Sequence, residues 1–283
     1  MIIPDSVKSI GNGSFSGGAY KNVIIGSGVT EIPQYAFEAS STFSNLEKVT
    51  MSNNVTSIGY SAFAASINLK SINFSSNLKS IDAKAFERCY ALESVILPEG
   101  LESIGNSAFS TNQVNPERSQ LKYVSIPSTV TTWGFDTFSY NNNLETVVMA
   151  DGLTTIGNQA FQYCKKIESV NLPSSLTSIG VNSFRGTNLK QVIIPEGVTK
   201  IESTTFGQNS NLETVVIPSS MTQISFDAFY NSSNLKSVTF TSPTGWTLNG
   251  ASVDLSNPET NAANYVNART RDGGYGQYDL IKN

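Results

Sequence analysis

The side chains that could do chemistry in this 283-residue chain are its carboxylates and two cysteines, because the sequence contains no histidine. A chain without histidine lacks the commonest general base, the Ser-His and Cys-His nucleophile systems and every imidazole metal site. Cys89 and Cys164 are too few for a disulfide framework or a thiolate zinc site. Asp254, Glu259 and Asp272 carry the oxygen ligands that calcium prefers, so a calcium site is an alternative to solvated carboxylates there. We expect no catalytic residue, no cofactor and no metal.

The composition also limits the function. Charged residues make up 14% of the chain, against ~25% in a typical soluble domain, so uncharged polar groups must cover much of the surface. The net charge is -4, and no apolar run approaches the ~18 residues of a membrane span. We therefore expect no membrane insertion and no nucleic-acid partner attracted by bulk charge. A glycan-active enzyme stays an alternative, but it would need a carboxylate pair outside any repeat, in a cleft that excludes water.

An internal repeat determines how these side chains are positioned. It is marked by ten phenylalanines, 22 to 29 residues apart, at Phe15, Phe37, Phe63, Phe86, Phe109, Phe138, Phe161, Phe184, Phe206 and Phe229. Where both are present, the opening apolar residue lies 17 positions before the phenylalanine, as in Leu46 to Phe63, and only the link after the phenylalanine varies. Strands that pair between repeats tolerate no insertion, since a one-residue slip turns every inward side chain outward. The repeat therefore predicts paired strands in its constant part and a loop in its variable link.

The constant part predicts a stacked, β-rich architecture. Period-2 alternation places Val95 and Leu97 in the core and Ser94 and Ile96 outside. One turn cannot bury its apolar side chains alone, so residues 1–240 are predicted to form a solenoid of about ten stacked rungs. This solenoid would have a parallel β-sheet on one face, short turns or helical turns on the other, and the phenylalanines as a buried spine.

Two other slots of the repeat make specific predictions. Glycine follows the isoleucine, or the tryptophan that replaces it, in six repeats, where a turn with positive φ would favour it: Gly11, Gly59, Gly105, Gly134, Gly157 and Gly180. Cys89 and Cys164 both lie three residues after a spine phenylalanine. They therefore occupy one slot in separate rungs and are predicted to be buried free thiols.

Both ends depart from the repeat. Met1 is followed directly by the middle of a repeat, so we expect that an N-terminal cap or signal segment is missing and that the solenoid is truncated there. Residues 241–283 are predicted to form a C-terminal cap or tail. As a cap, this segment would use Trp246, Leu248 and Val253 as apolar contacts over the last rung. A flexible stalk is the alternative.

The motif Leu-x-x-Val-x-Leu, as at Leu92 to Leu97, followed by proline and then Leu-x-x-Ile-Gly-x-x-Ala-Phe-x-x-Cys, resembles the BspA-like, Treponema-type leucine-rich repeat family. The slot that holds asparagine in ordinary leucine-rich repeats is occupied mostly by glycine, serine or threonine, with asparagine only at Asn54 and Asn77. The resemblance covers residues 2 to 240 and implies a leucine-rich repeat solenoid on a bacterial cell surface. It also implies an adhesin for host proteins or other cells, and it brings no catalytic residues.

The candidate binding residues lie on two kinds of surface. The first is the outward side of the strands, a surface on which solenoid proteins commonly bind ligands. The candidate residues on this surface are Tyr123, Val148, Gln191, Ile193, Thr214 and Val216. The second consists of two lengthened links, Glu38 to Asn45 and Ser110 to Gln120, of which the latter contains Pro116, Glu117 and Arg118. Exposed β-branched residues are also good strand formers, so strand propensity alone is an alternative explanation for the first surface.

These observations together predict a non-enzymatic binding or adhesion module, extracellular or at the cell surface, that recognises a protein or glycan ligand as a monomer. A structural spacer of a larger surface protein, without a ligand of its own, is the first alternative. The glycan-active enzyme is the second.

Overall fold

The computed structural model describes residues 1–39, 44–111, 113–259 and 279–282. The chain divides into two compact units, Met1–Ala150 and Asp151–Asn283. Each unit is a β-solenoid, in which most repeats contribute a longer strand and then a two-residue strand. The longer strands of successive repeats pair in parallel, and so do the shorter ones, which confirms the predicted fold class.

The longer strands of the first unit form two parallel sheets. One has the order β1-β2-β4-β6, and the other has the order β12-β10-β8. Their bounds are β1 Ile2–Ile3, β2 Asn22–Ile25, β4 Lys48–Met51, β6 Ser71–Asn73, β8 Ser94–Ile96, β10 Tyr123–Ile126 and β12 Thr146–Met149. We call the outward side of these strands, and of their counterparts in the second unit, the strand face.

The shorter strands of the first unit form one five-stranded parallel sheet, which we call the short-strand sheet. Its order is β11-β9-β7-β5-β3. The bounds are β3 Glu31–Ile32, β5 Ser57–Ile58, β7 Ser80–Ile81, β9 Ser103–Ile104 and β11 Thr132–Trp133. The unit also contains a single turn of 3-10 helix, Pro116–Arg118, in the second lengthened link.

The second unit repeats this plan and ends differently. Its longer strands form the parallel sheet β15-β17-β19, while β13 pairs with β14 and the remaining strands have the order β16-β18-β22-β20-β21. The bounds are β13 Thr155–Ile156, β14 Ser178–Ile179, β15 Gln191–Ile193, β16 Lys200–Ile201, β17 Thr214–Ile217, β18 Gln223–Ile224, β19 Ser237–Phe240, β20 Trp246–Leu248, β21 Ala251–Ser252 and β22 Leu280–Lys282.

The core follows the predicted alternation. Val95 and Leu97 are buried, whereas Ser94 and Ile96 are exposed. The spine phenylalanines stack face to face, with ring centroids 5.1 to 5.2 Å apart from Phe15 to Phe138 in the first unit. They are 5.5 to 5.8 Å apart from Phe161 to Phe229 in the second. All are buried except Phe15, which has a stacked neighbour on one side only and is half-buried. The phenylalanine spine is therefore core, as predicted.

Short turns, and not helices, carry these phenylalanines. The described residues contain no α-helix. Around Phe63 the backbone enters the left-handed region at Ser61 and again at Ala65. The amide of Phe63 donates to the carbonyl of Ala85 in the next turn at 2.8 Å, while Ala64 donates to Ser61 in its own turn at 3.1 Å. Successive amides thus donate hydrogen bonds alternately to the next turn and to their own turn. The backbone hydrogen-bonding groups of this segment are therefore satisfied without a helix.

The prediction of positive φ for the six glycines that follow the isoleucine, or the tryptophan that replaces it, is wrong. None of these six glycines lies in the left-handed region. A Cβ at Gly105 would lie 2.3 Å from the amide nitrogen of Ala83, and one at Gly134 would lie 2.1 Å from that of Asn106. At these two positions the backbones of successive turns approach each other too closely for a side chain, and this explains the glycine.

The cysteine slot has a structural role. The Cys89 thiol lies 3.2 Å from the carbonyl oxygen of Phe63 and donates to it. In the same slot, Asn209 donates to Phe184 at 2.9 Å and Ser232 donates to Phe206 at 3.0 Å. Cys89 and Cys164 are both free and buried, as predicted. In these three turns the slot therefore holds a buried donor for the carbonyl of the preceding spine phenylalanine.

The described residues after Phe240, 241–259 and 279–282, contact the last turns of the second unit. Trp246 is buried with its ring 5.2 Å from that of Phe240, while Leu248 and Val253 are half-buried. Strand β22 pairs antiparallel with β18, and the carboxylate of Asp279 accepts the amide of Phe226 at 3.0 Å. We propose from these contacts that the C-terminal segment is a cap, which keeps another chain from pairing with the edge of β18.

Candidate binding surfaces

The side chains that sequence analysis singled out for possible chemistry are the cysteines and the three C-terminal carboxylates. Burial raises the pKa of the Cys89 thiol, so it stays protonated and unreactive. Hydrogen bonds from the side chain of Ser256 and from its amide, the latter at 2.9 Å, lower the pKa of the Asp254 carboxyl. Asp272 lies outside the described residues. Among those that are described, no three potential ligands are grouped for a metal ion.

The strand face of the first unit presents two of the predicted binding residues. Tyr123 is half-buried and lies opposite Thr146 on β12. Val148 is 42% exposed and lies opposite Ser125, whose other neighbour is Ile96, 64% exposed. Val148 and Ile96 are thus separated by a serine. Ile2 and Ile24, which are 68% and 46% exposed, lie directly opposite each other on β1 and β2 and form an apolar pair at the start of this face.

The strand face of the second unit brings the other four together. Gln191 pairs with Thr214, and Ile193 pairs with Val216, on neighbouring strands. Ile193 is 59% exposed, and Val216 and Thr214 are half-buried. The predicted contact between Ile193 and Val216 is therefore present, and it forms a small apolar spot bordered by uncharged side chains.

Charged side chains stand just before the strands and neutralise one another along each stack. In the first unit Glu47 pairs with Lys21 at 3.2 Å and with Lys70 at 3.7 Å. In the second unit Lys190 pairs with Glu168 at 2.6 Å, and Lys236 pairs with Glu213 at 3.1 Å. These pairs are largely exposed and contribute little stability. Their regular alternation leaves little net field over the strand face for a charged ligand.

The second lengthened link is partly fixed by its own contacts. Glu117 and Arg118 are exposed, and Pro116 is half-buried at the start of the 3-10 helix. The guanidinium of Arg118 lies 4.6 Å from the centroid of the Tyr90 ring, a cation-π distance. Arg118 is therefore held against the protein, although its edge still faces solvent. Residues 40–43 of the first link lie outside the described residues.

A groove along the short-strand sheet was not foreseen from the sequence. It is an open groove with a volume of about 530 Å³, and it follows five successive turns. One wall carries a column of side chains in direct register, namely Glu31, Ser57, Ser80, Ser103 and Thr132. We call it the serine groove. The signal was the small polar residue before each isoleucine, which looks like an ordinary exposed strand position when each repeat is taken alone.

No helix in the described part of the chain is long and apolar enough to cross a membrane.

Comparison with known proteins identifies the repeat. The family described as BspA type leucine rich repeat region matches in six copies, over residues 1–115, 39–165 and 131–245. A leucine-rich repeat protein from Bacteroides ovatus has a similar structure, with a TM-score of 0.67 and 32% sequence identity over 79% of this chain. This chain spans 56% of the length of that protein. The leucine-rich repeat protein of T. pallidum is similar in fold, with a TM-score of 0.50 and 23% identity over 69% of this chain and 79% of the other. No curated protein sequence matches the chain.

Proposed function

Because the chain belongs to the BspA-type leucine-rich repeat family, we propose that it is a non-catalytic binding module of a bacterial cell surface. Its ligand is a protein or a glycan on the surface of another cell or in its surroundings. The ligand contacts the strand face, and the second lengthened link is the alternative contact. The protein acts outside the cytoplasm and as a monomer.

The observation that carries this proposal is the apolar spot on the second unit. An isoleucine that is 59% exposed beside a half-buried valine leaves apolar surface in water on a regular, rigid sheet. Covering an apolar side chain of this size fully is worth ~1.5–3 kcal/mol relative to leaving it exposed. The uncharged neighbours Gln191 and Thr214 can supply hydrogen bonds around that contact. This arrangement resembles the apolar centre and polar rim of a protein interface on a small scale.

The backbone of this sheet supports recognition by side chains. On β17, which lies between β15 and β19, both neighbouring strands are paired in register. That strand therefore has no free edge to which a ligand strand could be added. A ligand reaches β17 through its outward side chains, so substitutions there can remove binding without disturbing the fold.

A binding screen with matched variants tests the proposal. The chain is screened against extracellular-matrix proteins, epithelial cell surfaces and a glycan panel, and each ligand found is titrated against Ile193→Lys/Val216→Lys. The control is Thr50→Lys/Asn73→Lys, which adds the same two charges to directly paired outward positions of the first unit. We expect only the first variant to lose affinity, because two charges then enter an apolar contact.

The alternatives give different results in the same screen. A ligand held by the lengthened link would lose affinity with Glu117→Ala/Arg118→Ala and keep it with both strand-face variants. A structural spacer would give no saturable ligand at all. Turnover of any glycan in the panel would contradict a non-catalytic role.

A further inference from the structure

The serine groove has the dimensions of a site for one extended chain. Its volume of about 530 Å³ lies within the ~300–1,000 Å³ typical of ligand sites. Five turns at ~4.8 Å each give it a length of roughly 20 Å. An elongated groove of this length fits a single extended polymer that runs along the stack of turns.

The polar groups of the groove that are free to bind a ligand belong to side chains. The amides of Gly59, Asp82, Gly105 and Gly134 each donate to the isoleucine carbonyl of the preceding turn, at 2.7 to 2.8 Å. In contrast, the hydroxyls of Ser57, Ser80, Ser103 and Thr132 have no hydrogen-bond partner among the described residues. These hydroxyls repeat once per turn. A peptide added as a strand would find no free backbone ladder here, whereas a polyhydroxylated chain would find a donor and acceptor at every step.

The walls and end of the groove restrict the ligand further. Glu31 and Asp82 line it, and no lysine or arginine is among its described lining residues, so an anionic polymer would be repelled. Trp133 lines one end and offers an aromatic surface. Its indole N–H is enclosed and has no partner in the described part of the chain. A ligand cannot reach an enclosed N–H, so Trp133 contributes only the surface of its ring to the groove.

We propose that the serine groove binds a neutral linear polysaccharide that runs along the stack of turns. Successive sugar units lie beside the hydroxyls of Ser57, Ser80, Ser103 and Thr132, and the last unit packs on Trp133. A hexose unit in an extended polysaccharide has about the length of one turn of the stack, so one unit per turn keeps register with the column. This site adds to the proposed binding role and lies on a different surface from the strand face.

Matched variants test the site. The full chain is titrated by calorimetry with neutral glucan, mannan and galactan oligosaccharides of two to six units, with polygalacturonate as the anionic comparison. Ser80→Tyr fills the middle of the groove. Ser178→Tyr places the same side chain at an exposed position in the corresponding repeat slot of the second unit, outside the groove. Circular dichroism and the unfolding midpoint show that each variant is folded, and Ser80→Ala/Ser103→Ala removes two hydroxyls without adding bulk.

We expect at least one neutral polymer to bind, with an affinity that rises with length and levels off near four or five units. Ser80→Tyr should weaken it about tenfold or more, the alanine pair should weaken it less, and Ser178→Tyr should leave it unchanged. We also expect the sugar to be recovered uncleaved after binding. The proposal is overturned if no neutral polymer binds, if the two tyrosine variants behave alike, or if the groove binds an unfolded peptide instead. Loss of sugar binding in Ile193→Lys/Val216→Lys alone would also overturn it, while leaving the strand-face proposal intact.

Discussion

Replacing Phe63 by alanine should strongly destabilise the first unit. Phe63 is fully buried, and its ring stacks at 5.1 Å on both Phe37 and Phe86. Truncation of a buried phenylalanine costs ~3–5 kcal/mol through lost transfer free energy and the cavity left behind. We expect the upper part of this range, because the two neighbouring rings are held by their own turns and cannot close the cavity.

Urea unfolding followed by fluorescence and circular dichroism measures this effect. Phe135→Ala is the control, because Phe135 is 54% exposed and its truncation should change the free energy of unfolding by less than about 0.5 kcal/mol. The two probes should be compared, since stacked repeats need not unfold in a single step. If Phe63→Ala and Phe135→Ala share the wild-type midpoint, the phenylalanine spine does not hold the unit together.

Three other variants test the remaining structural roles. Cys89 should not react with a thiol reagent until the chain unfolds, and rapid labelling of the native chain would contradict its burial. Cys89→Ser should keep most of the stability, because Ser232 fills the same slot in another repeat. Gly105→Ala should cost ~1–3 kcal/mol through overpacking, whereas Gly11→Ala should be neutral because its nearest neighbour would lie 3.9 Å away; equal midpoints would refute the close-approach explanation. Asp279→Ala should leave the amide of Phe226 without its acceptor and lower the midpoint by about 1–3 kcal/mol, and an unchanged midpoint would argue against the cap.

The repeat made most of the fold predictable. The fixed distance of 17 residues from the opening apolar residue to the phenylalanine, as in Leu46 to Phe63, restricts variation to the links. The alternation around Val95 assigns each strand residue to one side, and the structure agrees. A periodic sequence repeats the same constraint in every turn, so a wrong assignment made from one repeat can be recognised by comparison with the others.

Features that depend on contacts between turns could not be predicted in this way. Glycine at 105 suggested a left-handed turn, because φ is a property of one residue, whereas the cause is the backbone of Ala83 in the preceding turn. The serine groove has the same origin. Ser57, Ser80 and Ser103 look like ordinary exposed strand residues one at a time, and only their direct register makes a column of hydroxyls.

The second lengthened link shows a further limit of structure prediction from the sequence. Glu117 and Arg118 lie in the most charged irregular segment of the repeats, which favoured a binding loop. In the structure Arg118 lies against Tyr90, and the segment forms a turn of 3-10 helix. A link of variable length has no counterpart in the other repeats, so periodicity could not predict this contact.

The most direct test of the central claim is the equilibrium binding of one ligand from the screen to the strand face of the second unit. Wild-type protein, Ile193→Lys/Val216→Lys and Thr50→Lys/Asn73→Lys are titrated at pH 5 and at pH 8. We predict saturable wild-type binding that is nearly equal at the two pH values, because the chain has no histidine to titrate between them. We also predict a loss of about tenfold or more for the first variant alone. Equal affinity in all three proteins, or no saturable ligand in the screen, would contradict the claim.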